Sequence, residues 1–389
     1  MRTAAGLLVA LLSGAASAYP TMIRHGYTQC ATCHVDPSGG TLLTEYGRAQ
    51  SELLLSTRWG SGSEEEPGPS SRFLFGAVRT PDSTILGGWL RNGYIWNSVG
   101  GKLVDQRLLQ MRADLAAAFR AGPLRAAAEV GYATASSAAY SELASITRNA
   151  NGANLVSREH WIGLGLADDA VLLRAGRIQL PFGLRNIEHT SFVRTATRTD
   201  INQDQQDGVA LSFVGAGWRA EAMAIVGNYS LHPDAFRERG ASAFVEIAPS
   251  SQVAFGLSAL ATRADATLEN AGPTLRQCYG VTARAAPWTP LVISAEVDAL
   301  IGTALGRGAT SAGHAGWLQA DLEVARGLHV LSAVESQEAP GESATSTGLW
   351  GGLAWFVVPH LDVRGDVIRR STPGSPATAT FLLQLNGYL

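Results

Sequence analysis

The sequence predicts an all-β fold, a transmembrane barrel of about sixteen antiparallel strands, and three observations carry that prediction. From about residue 84 the chain breaks into segments of roughly ten to fifteen residues, the length of a tilted membrane strand. Several segments alternate polar and apolar residues with a period of two. That period sends one set to a wet lumen and the other to lipid. The links between segments alternate short and mostly longer, as the periplasmic turns and outer loops of such barrels do.

The alternation is plainest in four places. In residues 106–119, Gln110, Arg112 and Asp114 share one parity, and Leu109, Met111, Ala113 and Leu115 the other. Ser294, Glu296 and Asp298 oppose Ile293, Ala295, Val297 and Ala299. Gln319, Asp321 and Glu323 oppose Leu318, Ala320, Leu322 and Val324. His360, Asp362, Arg364 and Asp366 oppose Leu361, Val363 and Val367. The short links are Ala121-Gly122-Pro123, Asp168-Asp169, Gly215-Ala216-Gly217, Pro249-Ser250-Ser251, Pro287 to Pro290, Arg326-Gly327 and Val358-Pro359. The longer ones run from Ser137 to Ser157, Leu180 to Gln206, Tyr229 to Arg239, Arg263 to Thr274 and Gly302 to Gly313. This sorting places both termini on the periplasmic side. A final strand is expected from Phe381 to the last residue, with Tyr388 near its end. A soluble sandwich would not sort its turns this way, and no propeller repeat is present.

Composition agrees. The 389 residues are 46% hydrophobic and 16% charged, with 43 glycines and a net charge of −3. No basic stripe or Lys/Arg-rich run points to nucleic acid. No apolar stretch outside the N-terminus is long enough for a membrane helix. Residues 1–18 read as a secretory signal: Arg2, an apolar core around Leu7 to Leu12, and a small-residue cleavage site at Ala16-Ser17-Ala18.

The chemistry is concentrated in Cys30-Ala31-Thr32-Cys33-His34. Two cysteines two residues apart, followed by histidine, form the attachment sequence of a c-type haem. Each thiol makes a thioether, and His34 is the proximal axial ligand. A zinc site would need a second ligand pair, and Cys278 is the only further cysteine. Residues 19–58 form this monohaem segment, with helical spacing from Thr41 to Arg58 that aligns Leu42, Leu43, Tyr46, Ala49 and Leu53. So few residues cannot bury a porphyrin alone. The expectation is therefore a small α-helical haem segment plugging the lumen, joined by a Gly-, Ser- and Glu-rich linker at 59–83 to the barrel at 84–389. The distal ligand falls to His25, to Met22, to a residue from elsewhere, or to none.

The string from Tyr19-Pro20 through Met22, Arg24-His25-Gly26 and Cys30 to His34, then Gly40, Leu42-Leu43 and Tyr46-Gly47-Arg48, resembles the haem segment of fused outer-membrane porin–cytochromes. The specific likeness covers about thirty residues; over the barrel it is one of architecture. It implies one covalent haem c held by Cys30, Cys33 and His34. It also implies electron transfer from an extracellular donor, ferrous iron in some members, to a periplasmic c-type cytochrome or other carrier. Gly176-Arg177-Ile178 with Pro181-Phe182-Gly183 resembles, more weakly, a motif of phosphate-selective-type porins.

Other residues are expected to play lesser parts. Cys278 shares parity with Arg276, Thr282 and Arg284, so it faces the lumen. His160, His189, His232 and His314 fall in or near long loops, and His329 and His360 beside short turns near the haem end. Asp200, Asp204 and Asp207 read as a solvated acidic loop. The function expected is an electron conduit in outer-membrane lipid. The alternatives are a diffusion porin gated by the haem segment, and a haem-based sensor of small ligands.

Overall fold

The computed structural model describes residues 20–40, 42–57, 72–134, 146, 147, 149, 152–185, 188, 190–200, 204–227, 237–266 and 272–389. The expected signal sequence, most of the linker, His189 and His232 lie outside these residues.

Sixteen strands follow one another. They are β1 (Thr84–Val99), β2 (Lys102–Ala121), β3 (Leu124–Thr134), β4 (Ala153–Leu166), β5 (Val171–Ile178), β6 (Gln206–Gly215), β7 (Trp218–Gly227) and β8 (Arg239–Ser250). Then come β9 (Val253–Ala264), β10 (Thr274–Trp288), β11 (Leu291–Ala304), β12 (Ala309–Ala325), β13 (Leu328–Glu338), β14 (Ser346–Val358), β15 (Leu361–Ser371) and β16 (Thr378–Tyr388). Each pairs antiparallel with its chain neighbours, and β16 closes on β1 from Trp89↔Tyr388 to Val99↔Thr378. Closure removes every sheet edge, which lipid would otherwise leave unpaired.

The wall is inverted relative to a water-soluble protein. Leu108 is 82% exposed and Leu115 66%, whereas Glu296 and Asp298 are fully buried. Ser294, Gln319, Asp321, Asp362, Arg364 and Asp366 are buried as their parity requires, while Ile293, Val297, Leu318, Leu322, Val324 and Val367 face out. Exposed aromatics mark both ends of the apolar band: Phe213, Trp218, Phe255, Trp288 and Trp355 at one, Tyr132, Trp96 and its strand partner Phe381 at the other. Such girdles belong at membrane interfaces.

Three expectations change. In β2 the register against β1 slips between Arg91 and Asn92, whose partners are Arg112 and Gln110. The bulged Met111 and the next residue, Arg112, are both buried, so Gln110 is separated from Arg112 and Asp114. The stretch from Gly302 to Gly313 is mostly strand: β11 and β12 pair up to Ala304↔Ala309, and four residues turn between them. Beyond the lipid both faces of a strand are wet, so alternation stops while pairing continues. His160 and His314 accordingly lie in β4 and β12 rather than in loops.

Seven links lie on the rim where β1 begins and β16 ends, each of two to four residues. The opposite rim carries the long links, with two exceptions, the four-residue β11–β12 turn and the β1–β2 turn. The β1–β2 turn is Gly100-Gly101, with φ of +56° and +79°, the positive pair that a two-residue hairpin needs.

Candidate functional site

Cys30 to His34 forms one tight turn. The amides of Cys33 and His34 both donate to the Cys30 carbonyl, at 3.1 and 3.0 Å. Residues three and four apart on such a turn share a face, so both thiols and the imidazole are grouped. The turn is locked from behind. Val35 N donates to Leu42 O at 2.9 Å, and Thr44 N to Cys33 O at 2.8 Å. Thr44 also caps the helix α1 (Glu45–Gln50), accepting from Gly47 N at 3.0 Å. The expected helix over 41–58 is thus shorter. Leu43 bridges His34 as a strand residue, and α1 passes into a wide turn, Ser51–Leu55, closed by Ser56 N to Ser51 O at 3.1 Å.

Residues 20–57 run round the inner wall near the short-turn rim. Arg24 pairs with Asp321 of β12 at 2.6 Å. Arg284 of β10 donates to Thr28 O at 2.9 Å. Arg219 of β7 donates to the Cys30 Sγ at 3.0 Å while bonding Glu246. Arg174 of β5 pairs with Asp36 at 2.8 Å and with Glu221 at 2.5 Å. Burial would raise the Asp36 carboxyl, but Arg174, Ser38 and Arg185 hold it below the usual range. Leu42 packs on Ala116 and Ala118 of β2, and Arg48 donates to Leu86 O of β1. The lap closes where Thr57 N meets Phe356 O at 2.8 Å.

The predicted haem residues are therefore together. Cys30 and Cys33 are 6% and 2% exposed, and no disulfide joins any of the three cysteines. His25 lies beside Arg24, Glu323, His329 and Arg326, and burial pushes its imidazole below the usual value, with Glu323 opposing. Its Nε2 is buried with no hydrogen-bond partner among the described residues. Met22 is buried against Tyr27, Leu55 and Phe356. Of the rim histidines, His329 borders this corner, while His360 bonds the Tyr388 carbonyl at 2.6 Å and stacks edge-on with Phe75. Two buried thiols, a grouped imidazole and an orphaned second imidazole nitrogen are the donor set that a haem c takes.

Sequence reasoning missed a second insert. The link at 179–205, expected outside, turns into the lumen. Gly183, at φ +63°, lets the backbone reach Glu296 of β11, whose Oε2 accepts from Leu184 N at 2.9 Å. A short helix, α2 (Phe192–Thr197), follows. Its Arg194 is fully buried on Glu296, and Phe192 N donates to Glu335 of β13 at 2.8 Å. Leu180, Phe182 and Val193 pack with Trp161, Trp317 and Trp350 into an apolar core inside the barrel. Arg185 donates to Ser38 O at 3.2 Å, so the two inserts touch. The signal was present: Leu180, Phe182, Leu184 and Val193 are core residue types in a link too long to lack a purpose. Asp200 is buried, and its amide donates to Asp204 at 2.9 Å. Asp207 faces Arg177 at 3.8 Å. Asp200 and Asp204 are therefore part of the packed insert and Asp207 belongs to β6, so the three are not a solvated run.

Towards the long-loop rim a cavity of about 630 Å³ remains, lined by Arg198, Glu238, Thr262, Arg276 and Cys278 among others. Cys278 faces the lumen as expected and is 1% exposed. Arg276 pairs there with Glu238 at 2.7 Å.

No protein-family model matches the chain, and no curated protein matches it. Solved structures match its fold. OmpT of Vibrio cholerae, outer-membrane expressed, is 12% identical with a TM-score of 0.59, over 80% of this chain and 99% of that one. An anion-selective porin from Comamonas acidovorans is 12% identical with a TM-score of 0.57, over 79% and 99%. The outer membrane channel DcaP of Acinetobacter baumannii is 11% identical with a TM-score of 0.54, over 80% and 99%. At such identities the likeness is one of fold: the chain shares the closed-barrel architecture of outer-membrane porins.

Proposed function

We propose that the protein is an outer-membrane porin–cytochrome, moving electrons between an extracellular donor and a periplasmic carrier through one haem c. The observation that carries this reading is the Cys30–His34 turn docked on inward-facing arginines of the wall. Cys30 and Cys33 would hold the haem and His34 would ligate it from the proximal side. Met22, His25 and His329, which converge on one corner, would offer the distal ligand. When bound, the group supplies an iron that takes and gives one electron without bond-making on a substrate. The chain does the rest. Arg219 and Arg174 anchor the turn, the wall keeps lipid away, and the insert at 179–205 narrows the approach from the long-loop side. Residues 20–57 act as a plug at the short-turn rim, which faces the periplasm in this reading. A single haem cannot touch both faces of a hydrocarbon layer of about 30 Å, so the external donor must be small enough to enter the lumen. Ferrous iron, the donor implied by the resemblance, meets that requirement.

A second reading is a diffusion porin gated by the N-terminal segment. The fold neighbours are porins, and their likeness supports this reading more directly than it does electron transfer. The test separates the two. Protein reconstituted in vesicles is exposed to ferrous iron outside, and the haem absorbance is followed. Reduction by that external donor supports the conduit. Failure of every membrane-impermeant donor to reduce it, together with large ion conductance in planar bilayers, supports the porin.

A further inference from the structure

We propose that His329, on the inner wall of β13, is the second axial ligand of the haem; this rests on the haem reading above. His329 is 2% exposed. Its Nδ1 lies 2.8 Å from Asp321 Oδ1 on the neighbouring strand β12. An ionised carboxylate only accepts, so a neutral imidazole facing it carries its proton on Nδ1 and offers the Nε2 lone pair to a metal. That Nε2 is buried and has no hydrogen-bond partner among the described residues. A carboxylate behind an imidazole, fixing its tautomer and raising its basicity, is the arrangement found at metal-ligating histidines. Arg24 binds the same carboxylate: it pairs with Asp321 at 2.6 Å and also with Glu323 at 3.4 Å. The haem-bearing segment is therefore clamped to the carboxylate that orients this imidazole.

The position agrees. The His329 ring meets Phe356 edge-on at 5.5 Å. Phe356 packs with Met22, Tyr27 and Leu55. The His329 ring thus borders the apolar cluster that the N-terminal segment forms with β14, and apolar contact is what a porphyrin face needs. His25 and Met22 share this corner, but neither is preset in the same way. No hydrogen bond orients the His25 ring among the described residues, and Met22 is committed to the apolar cluster.

The test uses the full chain, purified with its haem, and reads ligation from optical, electron-paramagnetic and resonance Raman spectra. Wild-type protein is expected to be low-spin with two histidine ligands. His329→Met is expected to convert it to His/Met ligation, and His329→Ala to a high-spin form returned to low-spin by added imidazole. His25→Ala and Met22→Leu are expected to leave ligation unchanged. Asp321→Asn is expected to raise the midpoint potential while the iron stays six-coordinate, an effect that a purely structural role for Asp321 would not produce. If His329→Ala does not fold, the wild-type spectrum and His25→Ala still decide. A wild-type His/Met or high-spin iron, or loss of low-spin character in His25→Ala, overturns the assignment. Denatured protein lacking covalent haem would instead remove the haem reading itself, and this assignment with it.

Discussion

At the scale of single residues, the Cys30–His34 turn depends on the absence of side chains as much as on their presence. A Cβ at Gly47 would collide with the Cys33 carbonyl, because α1 packs directly on the turn. Gly39, at φ +88°, leaves a Cβ position only 3.1 Å from Cys30 Sγ. Gly47→Ala is therefore expected to push α1 off the turn and lower haem attachment several-fold, read as the haem-to-protein ratio of purified barrel. That Cys30, Cys33 and His34 would sit on one turn could be expected from adjacent letters; the haem proposed for them is a reading of the same spacing. Gly47 was visible only as part of a resemblance, and its reason is a contact between segments. His329 was placed near the haem end from its position beside a short turn, but its partnership with Asp321 is a matter of register between strands. That register is set by pairing, which no single segment contains.

At the scale of elements, the inward link at 179–205 governs the lumen. Arg194 and Glu296 are both fully buried, so Arg194→Ala strands a carboxylate. Losing one partner of such a pair costs roughly 3–5 kcal/mol, less any relief from water entering the lumen. The expected outcome is faster proteolysis within 179–205 and a higher single-channel conductance, with the barrel intact. The same link carries a pH response. Burial, with Asp200 adding, pushes the Asp204 carboxyl up to about 7. Its unfolded value is near 3.8, so the packed link holds the extra proton between these values. The packing it supports is then fullest below pH 3.8 and fades as pH rises through about 7. Proteolysis of the link, followed between pH 5 and 8, should accelerate with pH, and Asp204→Asn should flatten that dependence. Neither effect was legible from composition, because a solvated acidic loop and a buried acidic pair use the same letters.

At the scale of the whole molecule, the strand order closes on itself without residues 20–57: every β–β pairing, including β1 with β16, lies within residues 84–388. Deleting residues 20–57 is therefore expected to leave a folded barrel, seen as retained β-sheet circular dichroism. Its conductance should rise several-fold, because inner-wall groups such as Glu246 and Glu221 would lose the segment that their arginines hold. Unchanged conductance would mean that the link at 179–205 alone sets the narrowest point.

What the amino-acid order alone determined was the kind of wall and the kind of chemistry. Period-two alternation depends only on neighbouring residues, and lipid enforces it strand by strand. The cysteine spacing likewise puts the expectation of a thioether-bound haem within five residues. Only the tertiary structure decided what fills the bore. Arg24 meets Asp321 across 297 positions, and Arg194 meets Glu296 across 102. The reason is physical: in a closed barrel the interior belongs to no one segment, and a charge carried by an insert meets its partner on a wall strand far away in the chain.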